Sequence, residues 1–432
     1  MNARTFIKKP TELIHWNRFD IMFKYLYGRS RECGWETAYY EDMYKHHLEI
    51  WNNLLEYDNP EKNTFESFKS NFDGLLDEIK TVGFDSNKSL VPVLNDRYVL
   101  NGAHRVAACL VYERDVHCVV GEDVKDGQMD CSWEFFNTLK KMGCLRDGYA
   151  DRAALEYAKL KSASRLVTLY PSAVRLGKIN EVRKILKKSG KFIFEKKVKL
   201  TKTGAVNLMR ELYYQEVWAE KDNGSGYRVK ANLSFQPKNV FRQISPTYVF
   251  LVEFDDIETS IRVKDQIRAV YNIEKHSVHI NDTHEETVRL AKSLFNKNSL
   301  HFLNTFNGKF FPVFERLLKE YSNWMAGSQL DSENYCISAG SVITAYGVKE
   351  CKDIDYLHSS PETFPDNDLI QSHNEYGIGR YHTDRDDIVH NPENHFYRYG
   401  VKYSSLDVVK KLKKKRGEPK DFKDINRINK LL

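Results

Sequence analysis

Two aspartates separated by a single residue, Asp353 and Asp355 in ECKDIDYLH, carry the strongest chemical signal in this chain. Ile354 and Tyr356 alternate with them, a pattern that predicts a strand on which residues two apart point the same way. Both carboxylates can then grip one divalent ion. Upstream, YCISAGS brings a strand-like run to Gly340-Ser341, twelve residues before Asp353, and a short helix follows. Backbone N–H groups at such a turn suit phosphate oxygens, and phosphoryl transfer needs metal ions to offset the charge of a triphosphate.

The order hydrophobic-Gly-Ser, a short helix, then Asp-hydrophobic-Asp resembles the signature of the nucleotidyltransferase superfamily, the fold of polymerase-beta-like and antibiotic-adenylylating enzymes. The resemblance spans residues 325 to 432. It implies a Mg2+ or Mn2+ ion on Asp353 and Asp355, a nucleoside triphosphate donor whose phosphates rest on Gly340 and Ser341, and a third carboxylate on a later strand. Asp387, beside Asp386, is the expected third ligand, with Asp368 and Glu375 as competitors. The plainer alternative makes Asp353 and Asp355 solvated residues of an edge strand. The basic ending SLDVVKKLKKKRGEPKDFKDINRI is either a substrate-facing helix or a solvated one.

A second element lies near the N-terminus. Asn101-Gly102-Ala103-His104-Arg105 follows a turn and a strand and opens an alanine-rich helix. With the upstream helix ending at Gly83-Phe84 and the run Val91-Pro92-Val93, it resembles the G-x-H-R box of the ParB and sulfiredoxin-like fold over residues 65 to 122. That resemblance implies that Gly102, His104 and Arg105 hold nucleotide phosphates, where free N–H groups, a helix dipole and a guanidinium meet one anion. The alternative is a docking module in which His104 caps a turn and Arg105 pairs with Asp20 or another acid.

The third candidate is HSVHINDTHEETVRL, which puts His276, His279, Asn281, Asp282, Thr283 and His284 at a strand end and the next helix start. In open α/β sheets ligands bind outside the carboxyl ends of strands, so His279, Asn281 and Asp282, with Lys264 and Arg268 one helical turn apart and Lys275 beyond, are candidate substrate-binding residues. Asp282 with Glu285 also reads as a capping box, which accounts for Asp282 without a ligand, and the cations can equally form a wet helix face.

Elements must hold these groups in place. With 432 residues, 41% hydrophobic and 29% charged, the chain suits several α/β or α+β domains and excludes collagen, repeat arrays and disorder. The expected division is 1–150, a ParB/sulfiredoxin-like domain with an aromatic-rich helical extension; 151–190, a helical connector; 191–310, a central domain; and 311–432, the nucleotidyltransferase-like domain. Within the central domain PTYVFLVEF, HSVHI and SLHFLN read as strands alternating with helices, the rhythm of βαβ units and a parallel sheet. AEKDNGSGYR reads as a loop.

The net charge is +6, but ten basic and three acidic residues fall between Lys410 and Leu432, leaving the remainder near neutrality. A nucleic-acid-binding body is therefore not expected. Seven cysteines without a CxxC pair argue for reduced thiols, and with no spanning segment or leader pattern a cytoplasmic protein is expected. The expected function is metal-dependent transfer of a nucleotidyl or phosphoryl group to a small or carbohydrate acceptor, a combination similar in pattern to proteins of bacterial surface-polysaccharide biosynthesis. Three other readings stay open: a glycosyltransferase using a nucleotide-sugar, a small-molecule kinase centred on the N-terminal box, and a binding protein with a degenerate transferase domain.

Overall fold

The computed structural model describes residues 4–56, 60–95, 98–120, 130–138, 145–214, 246–273, 276–365, 367–374 and 377–432. Helices and three small sheets make it a mixed α/β protein. The chain divides into two compact units, residues 1–165 with 189–194 and 250–256, and residues 166–188 with 195–249 and 257–432.

In the first unit the helix Phe65–Val82 starts at Thr64, whose hydroxyl accepts from the Ser67 N–H, and stops at Gly83 with φ 79, a backbone shape that favours glycine. Strands β1 (Thr5–Lys8), β2 (Val91–Leu94), β3 (Tyr98–Val99) and β4 (Val116–Val120) form a sheet of order β1-β4-β2-β3. β2 runs parallel to β4 and β1 antiparallel to it. The helix Ala103–Tyr112 connects β3 to β4, and Val111 approaches helix Asp20–Glu32 so closely that a Cβ on Gly28 would lie 3.0 Å from it.

A second sheet has β5 (Ser164–Leu169), β6 (Lys191–Val198), β7 (Thr247–Glu253) and β8 (Val278–Ile280), in the order β6-β7-β5-β8. Three expectations are corrected here. Residues 150–190, expected to be helical throughout, contain β5, because SRLVTL buries all but one of its residues. The sheet is not wholly parallel, since β5 pairs antiparallel with β8, Val167 opposite Ile280. SLHFLN lies in the helix Lys297–Thr305, not a strand: the Asn296 side chain accepts from the Ser299 N–H, a start signal that outweighs a short apolar run. The expected loop AEKDNGSGYR lies outside the described residues.

The C-terminal sheet belongs to the second unit. Its strands are β9 (Tyr335–Ser338), β10 (Ile354–His358), β11 (Ile370–Ser372), β12 (His395–Arg398) and β13 (Val401–Ser404), in the order β11-β10-β9-β13-β12. Alternation along the strands builds two cores. Ile337, Ile354, Tyr356 and Tyr403 pack with Phe314, Leu317 and Tyr321 of helix Pro312–Gly327. Cys336 and Leu357 pack with Ile388 and Val389 of helix Arg385–His390 and with Val408 and Leu412 of helix Leu406–Arg416. No helix among the described residues is long and apolar enough to cross a membrane.

Candidate functional site

β9 ends in a sharp turn at Ala339, whose φ of 54 is unusual for a residue with a side chain, and helix Gly340–Ala345 begins at once. Ser341 is buried, and its hydroxyl donates to the Asp353 carbonyl at 3.1 Å. Ser341 thus ties the turn to the segment that carries the aspartates. A phosphate at this turn would be offered backbone N–H groups rather than the Ser341 hydroxyl.

β10 lies between β9 and β11, with Asp355 opposite Ser338 on one side and Gln371 on the other. Directly opposed residues share a face, so Asp355 and Ser338 project to the same side. Asp353, just before the strand, is exposed. Exposed though the residue is, the atoms around its carboxyl remove part of its hydration, which raises its pKa first, and the Asp355 charge raises it further; its own backbone N–H, His373 and Lys420 pull the other way. Asp355 Oδ1 lies 3.1 Å from His373 Nε2. His373 Nδ1 lies 3.3 Å from the Tyr381 oxygen, Tyr381 donates to Ser338 Oγ at 2.8 Å, and Ser338 Oγ sits 2.8 Å from Ser404 Oγ. Tyr381 is buried, which lifts its pKa, and the Asp355 charge adds to the lift.

Asp387, the expected third ligand, spends its carboxylate on the loop around it: Thr383 Oγ1, Asn391 Nδ2 and Asn394 Nδ2 donate to it at 3.0, 2.9 and 2.8 Å. Asp386 pairs with Arg385 at 2.7 Å. Asp368 is exposed in the turn before β11, and Glu375 lies outside the described residues. Among the described residues no group of three or more His, Cys, Asp or Glu side chains is arranged to hold a metal ion. Two hard carboxylates two positions apart nevertheless suit Mg2+ or Mn2+, because Mg2+ usually takes one or two protein carboxylates and fills its shell with water and substrate phosphates.

Some of the cations of the basic ending are paired from within. Buried Lys413 contacts Asp421 at 3.3 Å and Asp424 at 2.9 Å. Arg416 pairs with Asp421, while Lys349 and Arg427 pair with Asp424. Lys415 donates to the Tyr381 carbonyl at 2.9 Å, and the Asp355 charge contributes to the raised pKa of Arg416, after its bond to Asp421.

At the N-terminal box Gly102 sits at φ 90 at the start of helix Ala103–Tyr112. His104 is turned into the unit: Nε2 lies 2.8 Å from Tyr44 OH, the ring meets Phe72 edge-on, and burial drives its pKa well below the usual histidine value. Arg105 folds back past Gly102 and donates to the Leu90 carbonyl at 3.0 Å. The alternative partner, Asp20, is buried between Arg18 and Lys24 instead, at 2.9 and 2.8 Å.

In the middle segment Asn281 is wholly buried and structural: it accepts from the Leu166 N–H and donates to the Thr283 carbonyl and Thr287 Oγ1. The helix cap is shifted by one residue from the expected Asp282 and Glu285, with Thr283 accepting from the Glu286 N–H and Glu286 reaching back to the Asp282 N–H. His279 pairs with that same Glu286 at 3.1 Å, Lys264 with Asp282 at 3.4 Å, and Arg268 with Asp265 at 3.2 Å. Lys275 lies outside the described residues.

Sequence reasoning missed His373, Tyr381 and Ser338. Ser338 was within reach, since the register of two strands joined by a short helix puts the end of YCIS against the aspartates. His373 and Tyr381 follow a three-residue strand and a short 3-10 turn, elements too brief to leave a periodic signal.

No family model matches this chain, and neither a curated protein nor a solved structure matches it.

Proposed function

We propose that Asp353 and Asp355 form the metal-binding centre of a transferase that moves a nucleotidyl or phosphoryl group from a nucleoside triphosphate to a small or carbohydrate acceptor. The observation that carries the reading is the placement of the pair, Asp355 on β10 opposite Ser338 and Asp353 just before that strand; the Asp355 charge adds to desolvation in raising Asp353, a repulsion that a divalent cation would relieve. When bound, Mg2+ or Mn2+ would offset triphosphate charge and orient the transferred group. The chain's own part is to hold the two carboxylates on one strand end, to fix the Gly340-Ser341 turn against them through the Ser341–Asp353 bond, and to set Arg416 and Lys420 where the carboxylate charges are felt.

The test is transfer from nucleoside triphosphates labelled separately at the α and γ phosphates, against a panel of sugar phosphates, with Mg2+ or Mn2+. Asp353→Asn and Asp355→Asn should each lower the rate roughly a hundredfold or more, about 3 kcal/mol of barrier, with circular dichroism unchanged. Movement of the α label means nucleotidyl transfer and of the γ label phosphoryl transfer. Activity near that of the parent in either variant removes the assignment.

A further inference from the structure

We infer that Tyr381 and His373 are positioning residues for Asp355, a built support that selects which carboxylate oxygen is offered to a metal ion; the inference rests on the metal-centre reading above. Four contacts run in series through the C-terminal sheet. His373 Nε2 meets Asp355 Oδ1 at 3.1 Å, and His373 Nδ1 lies 3.3 Å from the Tyr381 oxygen. Tyr381 donates to Ser338 Oγ at 2.8 Å, and Ser338 meets Ser404 at 2.8 Å. These residues come from β10, the end of β11, the turn after Ile378–Arg380, β9 and β13, so separate parts of the fold converge on one carboxylate.

Several features make the series more than incidental packing. Ser338 and Ser404 are fully buried and Tyr381 nearly so, and a buried hydroxyl without a partner would carry a desolvation cost. The hydroxyls are satisfied by one another in a line that ends at His373. Tyr381 is also held from outside, since its carbonyl accepts from Lys415 and the residue belongs to the buried cluster that includes Cys336, Ala339, Leu357 and Val408. Its oxygen is thereby fixed within 3.3 Å of the imidazole; with the tyrosine hydrogen on Ser338 it accepts from Nδ1–H, so the contact with Asp355 is a hydrogen-bonded ion pair when Nε2 carries its proton as well. At the far end His373 takes Oδ1 of Asp355, and no donor among the described residues bonds Oδ2. A carboxylate held by one oxygen presents the other in a defined direction. Metal-ligating groups that are themselves hydrogen-bonded lose affinity when the outer partner is removed, commonly by about 10- to 100-fold.

The experiment is direct Mn2+ binding to the full chain, read from the loss of the free-ion electron paramagnetic resonance signal, so that no acceptor or turnover is needed. The variants are Tyr381→Phe, which removes one hydroxyl and keeps the ring, His373→Ala, His373→Gln, the Tyr381→Phe/His373→Ala pair, and Asp355→Asn. Tyr381→Phe is expected to weaken Mn2+ binding about tenfold and His373→Ala at least as much. His373→Gln, which retains a donor, should recover part of the loss. The double variant should be no weaker than His373→Ala alone, because Tyr381 acts only through the imidazole; additive losses would contradict the series. If Tyr381→Phe and His373→Ala bind Mn2+ within about twofold of the parent while Asp355→Asn does not bind it, the positioning role is wrong and the metal centre stands. If Asp355→Asn binds as tightly as the parent, the metal reading falls and the positioning role with it.

Discussion

Gly102 turns the chain sharply into the helix Ala103–Tyr112. A glycine between a strand and an alanine-rich helix marks a sharp helix start, and φ 90 is what it supplies. A Cβ there would stand 2.8 Å from Arg105 Nη2, so an added methyl must displace the guanidinium that donates to the Leu90 carbonyl. Gly102→Ala should therefore destabilise the protein by about 1–3 kcal/mol, seen as a lower urea midpoint; an unchanged midpoint would show that the backbone relaxes freely. His104 was not legible, because Tyr44 and Phe72 reach it from helices Tyr39–Asn52 and Phe65–Val82. Nothing adjacent in sequence announces that aromatic environment. The same holds at the C-terminal site, where the Asp353-Ile354-Asp355 alternation was readable but the imidazole beside Asp355 arrives across a sheet.

At the scale of elements, the helices Leu406–Arg416 and Pro419–Asn429 were legible as a basic ending, but their pairing was not. Opposite charges eight and eleven residues apart meet only because Gly417, at φ 69, turns the chain back. Burial alone would raise Asp421, yet its bonds to Arg416 and the Lys413 charge outweigh burial and hold it at about 2, below the ordinary 3.8. A depressed carboxyl contributes stability that is fully present above the unfolded value, here 3.8, and that is lost as pH falls through about 2. Asp421→Asn should accordingly cost about 3 kcal/mol at neutral pH, since it leaves a buried lysine short of a partner, and the gap between parent and variant should close as acid denaturation is followed from pH 4 to 2. A gap that stays constant over that range would mean the ion pairs add nothing. Elsewhere, strands and helices of ordinary length were read correctly, as with β7 in PTYVFLVEF and the helix ended by Gly83. The errors fell where tertiary pairing decides: β5 was hidden among helices, and a three-residue β8 took the antiparallel direction that no local pattern specifies.

At the scale of the whole molecule, charge arithmetic located the excess in the last residues but could not see that Lys413, Arg416 and Arg427 meet Asp421 and Asp424 there. Ten basic residues against three acidic ones still leave the ending with an excess of seven positive charges. The central claim is that the full chain holds a divalent cation and a nucleotide at Asp353 and Asp355. The direct measurement is isothermal titration of the full chain, and of its Asp353→Asn/Asp355→Asn variant, with Mn2+ in the presence of a non-hydrolysable nucleoside triphosphate. The parent should give a binding isotherm that is weakened at least about a hundredfold in the variant, roughly 3 kcal/mol of binding free energy; equal affinity in the two proteins would contradict a metal centre at these aspartates.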